Sequence, residues 1–346
     1  MNKRCLQNFC AALMIFAALI RAAVAVGLDG EQPLAAPDGA DGQVWTLIVE
    51  RDEPAPEPDA PEDTPPEEQE PDEPEEPEPE PEEVPDEPAG EALDFTDAEA
   101  DAIEISGACS YSVDKRALLR QPTTLDFSQD GPKVLIVHTH SCEAYTPTPA
   151  WDYTASDSYR TRDETRSVLR VGSEIQAVLE DAGIETIHDT ALNDDPAYSG
   201  AYARMLTTIE GYLARYPSIQ MVLDVHRDAV ENPDGTQVCY TTELDGERCA
   251  QVMLVVGTDE GGLEHPHWRE NLANALKLQA LLNRSYPGLC RPIDLRTERF
   301  NAHTSPGALL AEFGAAGNTL PEAIRAGRCF AQGVAEFIQA AARTDA

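Results

Sequence analysis

The sequence predicts one α/β domain over residues 100–346, with a mostly parallel central sheet flanked by helices. Three observations lead there. Short apolar, β-branched runs such as Val134–Val137 and Met221–Val225 alternate with longer runs whose apolar residues recur at helical spacing. Strands alternating with helices build a parallel sheet covered by helices. Polar residues with catalytic chemistry follow several of the short runs, and open α/β sheets gather their chemistry beyond the carboxyl ends of strands.

The first 28 residues have a basic start, Lys3 and Arg4, and an apolar run from Phe9 to Ile20 that resumes after Arg21. They read either as a signal peptide, with Ala23-Val24-Ala25 as a small-residue cleavage pattern, or as a single membrane anchor. Both readings export the body. Residues 29–99 read as a disordered acidic, Pro-rich linker. Between Arg51 and Gly90 lie 19 acidic residues and 13 prolines. Such a stretch cannot bury enough apolar surface to fold, and its charges repel, so an extended spacer is expected. It carries about half of the formal net charge of −38. The remainder is acidic too, which argues against nucleic acid as a partner. Val44–Val49 is a lone strand-like run within this region.

The body opens with a strand-like alternation over Ala102–Ser106 and a helical stretch over Asp114–Arg120. Val134–Val137 is a buried strand, followed by His138, His140 and Glu143. Their loop continues past Trp151 to about Arg162 as one wall of a cleft. A helix is expected over Ser167–Ala182, ended by Gly183, then a strand over Ile184–His188 and a helix over Tyr202–Tyr216. Met221–Val225 is a strand with His226-Arg227-Asp228 directly behind it. Strands are expected over Val238–Thr242 and Gln251–Gly257. A long helix follows over Trp268–Ser285, then a strand over Ala308–Glu312 and a last helix from about Pro321.

Six of the eight cysteines lie in the body, without any CxxC pair, so a cysteine zinc knuckle is unsupported. An even number in an exported domain permits disulfides. Cys239 and Cys249 flank a hairpin turning at Leu244-Asp245-Gly246.

Two histidines and a carboxylate around an open position make a catalytic zinc site, and a further carboxylate can move the proton of the attacking water. Candidates stand at three strand ends: His138, His140 and Glu143 after the first; His226, Arg227 and Asp228 after another; and Glu312 at the end of the last. His138 and His140, two residues apart, share a face if the strand continues, so either can be the ligand. Asn301 and His303 precede the last strand and are further candidates for the cleft. His188, His265 and His267 read as surface or structural.

Several blocks, in order, resemble the stage II sporulation protein P family, membrane-anchored peptidoglycan hydrolases of endospore formers. They are HTHSCEAY (138–145), LDVHRDA (223–229), HWRENLANALKLQALLNRSYPGLCRP (267–292) and the run at 299–323, RFNAHTSPGALLAEFGAAGNTLPEA. The resemblance implies a fold similar to zinc-dependent N-acetylmuramoyl-L-alanine amidases. It implies His140, Glu143 and His226 as zinc ligands and Glu312 as the catalytic carboxylate. By position alone, Arg227 and Asp228 either orient a histidine or the substrate or form an internal ion pair, with each other or with a neighbour. Glu143 and Glu312 can also exchange roles. The resemblance further implies stem-peptide endopeptidase activity and, as partners, stage II sporulation proteins D and M. Two other classes compete: a cysteine hydrolase with Cys142 as nucleophile and His140 or His226 as base, and a non-catalytic cell-wall-binding module.

Overall fold

The computed structural model describes residues 93–344. The expected signal or anchor segment, the run Val44–Val49 and the acidic stretch lie outside the described residues. Among the described residues, no helix is long and apolar enough to cross a membrane.

The folded body starts ahead of residue 100. Phe95 is buried, and Thr96 caps helix α1 (Asp97–Ala102) in a reciprocal pair with Glu99. This helix takes up the start of the strand expected over 102–106, leaving β1 as Ile105–Ser106 alone. Asp114 caps α2 (Lys115–Arg120) through the Ala117 N–H. Then come β2 (Val134–Val137), α3 (Val168–Asp181), β3 (Thr186–His188), α4 (Ala201–Arg215) and β4 (Met221–Asp228). A hairpin of β5 (Thr241–Leu244) and β6 (Glu247–Ala250) turns at Asp245 and Gly246, both at positive φ. The chain continues through β7 (Val252–Gly257), α5 (Trp268–Ser285), β8 (Ile293–Arg296), β9 (Gly307–Ala315) and α6 (Leu320–Thr344).

Seven strands form one sheet in the order β1-β8-β7-β9-β4-β2-β3. Every neighbouring pair is parallel except β7 and β9, which are antiparallel. The sheet is thus mostly parallel, as the alternation of elements predicts, but it holds two parallel blocks of opposite direction. Strand β8 is an element the sequence reading omits. Its four residues alternate buried and half-buried, too short a period to stand out behind Pro292.

The two sheet faces are covered unequally. Val134 and Ile136 of β2, Leu223 and Val225 of β4, and Leu309, Ala311 and Phe313 of β9 pack in the main core with α3, α5 and α6. Residues of opposite parity, Leu135, Val137, Val222 and Ala308, pack against Met205 and Ile209 of α4. Side chains alternate along a strand, so this second face also receives Asp224, His226, Leu310 and Glu312. The first face is sealed by three helices. The second has one, and beyond it lie the polar side chains.

One close approach on the sealed face is set by a glycine. A Cβ on Gly172 of α3 would fall 2.6 Å from Nε2 of both His138 and His188. In an exposed helix interior, Gly→Ala gains roughly 1 kcal/mol. Here the sign should reverse: Gly172→Ala is expected to lose about 1–3 kcal/mol from overpacking. Denaturant titration of the two proteins checks this. A more stable alanine variant would mean that the two rings have room to yield.

Candidate active site

Strand β2 ends at Val137, and the chain then turns sharply through residues 139–142. That turn separates the two histidines. His138 continues the sealed face: its Nδ1 lies 2.9 Å from the Val225 carbonyl oxygen and its Nε2 2.9 Å from Nε2 of His188. Burial, and then His188, hold His138 at a pKa of about 3, so it is neutral. His140 comes out on the other face. Its ring lies flat on Tyr198, with centroids 4.2 Å apart, and edge-on to Tyr202 and to His226, at 5.5 and 5.4 Å. The expectation that the two histidines share a face therefore fails, because the strand does not continue between them. His188 is the structural partner of His138, and His265, with 1% of its surface exposed, is buried rather than superficial.

A buried carboxylate that the sequence reading omitted holds the turn. Asp194 accepts from Ser141 Oγ (3.1 Å), from the Cys142 N–H (3.0 Å) and from Arg160, and lies 3.5 Å from His140 Nδ1. Burial opposes its charge, but the nearby His140 and the bonds from Arg160 and Cys142 outweigh that and keep its carboxyl well below the usual range.

His226 lies inside its strand, not behind it, and Glu312 is not the last residue of its own: β4 runs on to Asp228 and β9 to Ala315. The two are register partners on adjacent parallel strands and so stand side by side on the half-covered face. His226 is flanked by carboxylates. Its Nδ1 lies 3.3 Å from Glu143 Oε2 and its Nε2 2.9 Å from Asp224 Oδ1, the latter without hydrogen-bond geometry. Thr139 fixes Asp224 through its N–H (2.8 Å) and hydroxyl (2.6 Å). Burial opposes charge on His226, yet Asp224 and Glu143 overcome it and hold the imidazole well above its ordinary pKa. The pocket thus favours positive charge on His226, between Asp224 and Glu143.

Glu312 sits in the opposite condition. Its register partner across the antiparallel pair is Met253, and its Oε2 has no hydrogen-bond partner. Burial raises its pKa to about 8, helped by Glu143 and Asp228 and opposed by His226 and Arg227. Two neighbouring carboxylates of unlike protonation are a common arrangement for acid–base work.

Arg227 is the residue expected to orient a histidine or the substrate. It points to the sealed face, where Nε donates to the Ala144 carbonyl (3.0 Å) and Nη2 to that of Tyr159 (3.0 Å). Its backbone N–H donates to Glu143 Oε2 (3.1 Å). These bonds tie Arg227 to the loop that carries Glu143. Asp228 pairs with Arg291 at 2.8 Å. Asn301 donates to the Tyr202 carbonyl oxygen (2.9 Å), supporting the aromatic wall. His303 faces His265, with ring centroids 6.4 Å apart. Cys142 is 2% exposed, and burial, with Asp194, pushes its thiol up to about 12. A buried, protonated thiol is a poor nucleophile.

The donors suit a metal in kind. With His140 Nδ1 beside Asp194 and His226 Nε2 beside Asp224, the opposite ring nitrogens, His140 Nε2 and His226 Nδ1, are left for a metal. The 3.3 Å between His226 Nδ1 and Glu143 Oε2 matches the separation of about 3.4 Å that two ligand atoms have around tetrahedral zinc with bonds of about 2.1 Å. Among the described residues, however, no three such side chains are grouped as a metal site as they stand.

A sequence profile of the stage II sporulation protein P (SpoIIP) family matches residues 44–335. Stage II sporulation protein P of Bacillus subtilis (strain 168) is 27% identical over 280 residues, which cover 75% of this chain and 67% of that protein. Two solved structures are similar at low levels. An N-acetylmuramoyl-L-alanine amidase of Nostoc punctiforme matches with 13% identity and a TM-score of 0.37, over 61% of this chain and 99% of that one. An N-acetylmuramoyl-L-alanine amidase of Clostridium difficile matches with 13% identity and a TM-score of 0.36, over 61% and 98%.

Proposed function

The chain belongs to the stage II sporulation protein P family, and from that premise we propose that it is a zinc-dependent peptidoglycan hydrolase acting outside the cytoplasm. The bond cut is the amide between the muramoyl lactyl group and L-Ala, with stem-peptide endopeptidase activity beside it. The observation that carries the reading is the meeting of His140 and His226 on one half-covered face, with Glu143 beside His226 and Glu312 on the adjoining strand. Stage II sporulation proteins D and M are proposed as partners on family membership alone.

His140, Glu143 and His226 would hold the zinc ion. Such an ion supplies Lewis-acid polarisation of the scissile carbonyl and lowers the pKa of the attacking water. Asp224, itself held by Thr139, keeps the His226 ring oriented. Asp194 does the same for His140 from the opposite side. Groups behind a ligand fix its ring and raise its basicity. Glu312 takes a proton from the water and returns it to the leaving amine. The stacked Tyr198 and the edge of Tyr202 bound the space above His140 and offer an apolar wall to a sugar or peptide.

The deciding experiment is metal analysis of the purified protein, with muropeptide release measured before and after chelation. Hydrolysis that survives complete metal removal would refute the zinc reading. The thiol alternative is tested separately. Cys142→Ser is expected to keep the wild-type rate within about threefold, because the thiol is buried and protonated. Loss of activity in a folded, zinc-loaded serine variant would restore Cys142 as the nucleophile.

A further inference from the structure

The hairpin β5–β6 rests on one face of α6. Arg325 pairs with Glu247 at 2.6 Å and also donates to the Arg248 carbonyl oxygen. Arg248 reaches Glu322 at 2.9 Å. From Glu247 to Cys249 the strand advances by about 6.6 Å and returns to the same face. From Arg325 to Cys329 the helix advances by about 6 Å, one turn along the same stripe. The two steps match, so Cys249 arrives opposite Cys329. The Cys249 thiol donates to the Ala250 carbonyl oxygen (3.3 Å), and the two cysteines lie close enough for each to shift the other's titration. Cys249 is fully buried and Cys329 is half-buried, and neither is bonded to another sulfur.

We propose that Cys249 and Cys329 are a dithiol site that closes into a disulfide, clipping the β5–β6 hairpin to α6. The co-reactant is a small-molecule or protein disulfide. The Cys329 thiolate attacks it, forming a mixed disulfide and expelling one thiolate. Cys249 gives up its proton to that thiolate and attacks the Cys329 sulfur, expelling the second. Two protein thiols and one external disulfide become one protein disulfide and two external thiols, so electrons and protons balance. The contact favours Cys329 as the first attacker. It is the more exposed sulfur, and the neighbouring Cys249 thiol lowers its pKa while that of Cys249 rises.

The hairpin expected to be flanked by Cys239 and Cys249 is present, but Cys239 is exposed and makes no part of this contact. The clip would fix a segment near the candidate active site. The turn after Glu312 is tied to the start of the hairpin, where Asn318 accepts from the Tyr240 N–H (3.0 Å) and donates to the Tyr240 carbonyl (3.0 Å). Oxidation in the cell rests on the proposed action outside the cytoplasm. The chemistry in vitro does not.

The test uses the full chain, equilibrated with oxidised glutathione, then unfolded, alkylated and mapped by mass spectrometry. The expected result is one cross-linked peptide pair holding Cys249 and Cys329, with Cys239 free or glutathionylated. Closing a loop of this length should raise Tm by roughly 4–10 °C. Dithiothreitol should reverse the shift, and Cys329→Ser, at the more exposed position, should abolish it. Cys249 and Cys329 both alkylated after oxidation, or Cys249 bonded to Cys239, would overturn the proposal. So would a Tm shift that survives in Cys329→Ser. None of these readouts depends on hydrolase activity.

Discussion

His226→Ala and His140→Ala should each lose bound zinc and lower hydrolysis of isolated cell wall by roughly 10³-fold or more, the scale of losing a fixed electrostatic contribution at the reacting bond. His138→Ala should keep its zinc. The contrast follows from where the side chains point. His140 and His226 meet edge-on at 5.4 Å on the half-covered face, beside Glu143. His138 is sealed under α3 against His188 and the Val225 carbonyl. Its loss should instead leave a cavity and an unpaired His188, and so lower stability by about 1–3 kcal/mol. Zinc content by mass spectrometry, urea midpoints and muropeptide release on three variants separate the roles. Full zinc occupancy in His140→Ala or His226→Ala would remove that residue from the ligand set. Zinc loss confined to His138→Ala would move the first ligand by two residues.

Much of this candidate site can be picked out in the sequence, and the exceptions have physical causes. His140, Glu143, His226 and Glu312 stand out because polar, chemically capable side chains follow or interrupt short apolar runs. The choice between His138 and His140 was not legible, since it depends on where β2 stops, and a turn at 139–142 has no strong local signal. Asp224 carries a signal that can be read: a carboxylate inside a buried strand, two residues before a histidine, must have partners. Asp194 has none, because Asn193-Asp194-Asp195-Pro196 reads as an ordinary turn. Its role arises only when that turn folds back 52 residues in sequence to the Cys142 N–H. Arg227 shows the reverse limit. Adjacent to His226 in sequence, it lies on the opposite face of the sheet, as strand alternation requires. At the level of the fold, the parallel sheet followed from strand–helix alternation. The antiparallel β7–β9 contact did not, because register between distant strands is set by tertiary packing.

Glu312→Gln should keep near-normal zinc content and lower the rate by roughly 10²–10⁴-fold, the contribution of a positioned general base. Glutamine preserves the shape and removes the basicity. The placement of Glu312 makes the prediction specific. It is the register partner of His226 and of Met253, so one neighbour is a candidate ligand and the other is apolar. Its Oε2 has no hydrogen-bond partner, so no structural bond is lost by the change at that atom. Stability supplies an independent readout with a worked sign. Burial raises the carboxyl from 4.5 to about 8, so the folded protein binds the proton that the unfolded chain has released. Its favourable share of stability is complete below about pH 4.5 and declines as pH rises through about 8. In the chelated protein, Glu312→Gln should therefore flatten the dependence of Tm on pH across that window and melt no lower than wild type at pH 7. A bound zinc ion, by its charge, should draw the wild-type carboxyl back down and reduce the difference. If Glu312 were a structural partner of an arginine, the variant would melt early yet turn over normally in the cold. If it were a ligand, the variant would purify without zinc, and Glu143 would become the base. Metal content, Tm against pH and hydrolysis rate on this one substitution distinguish the three roles.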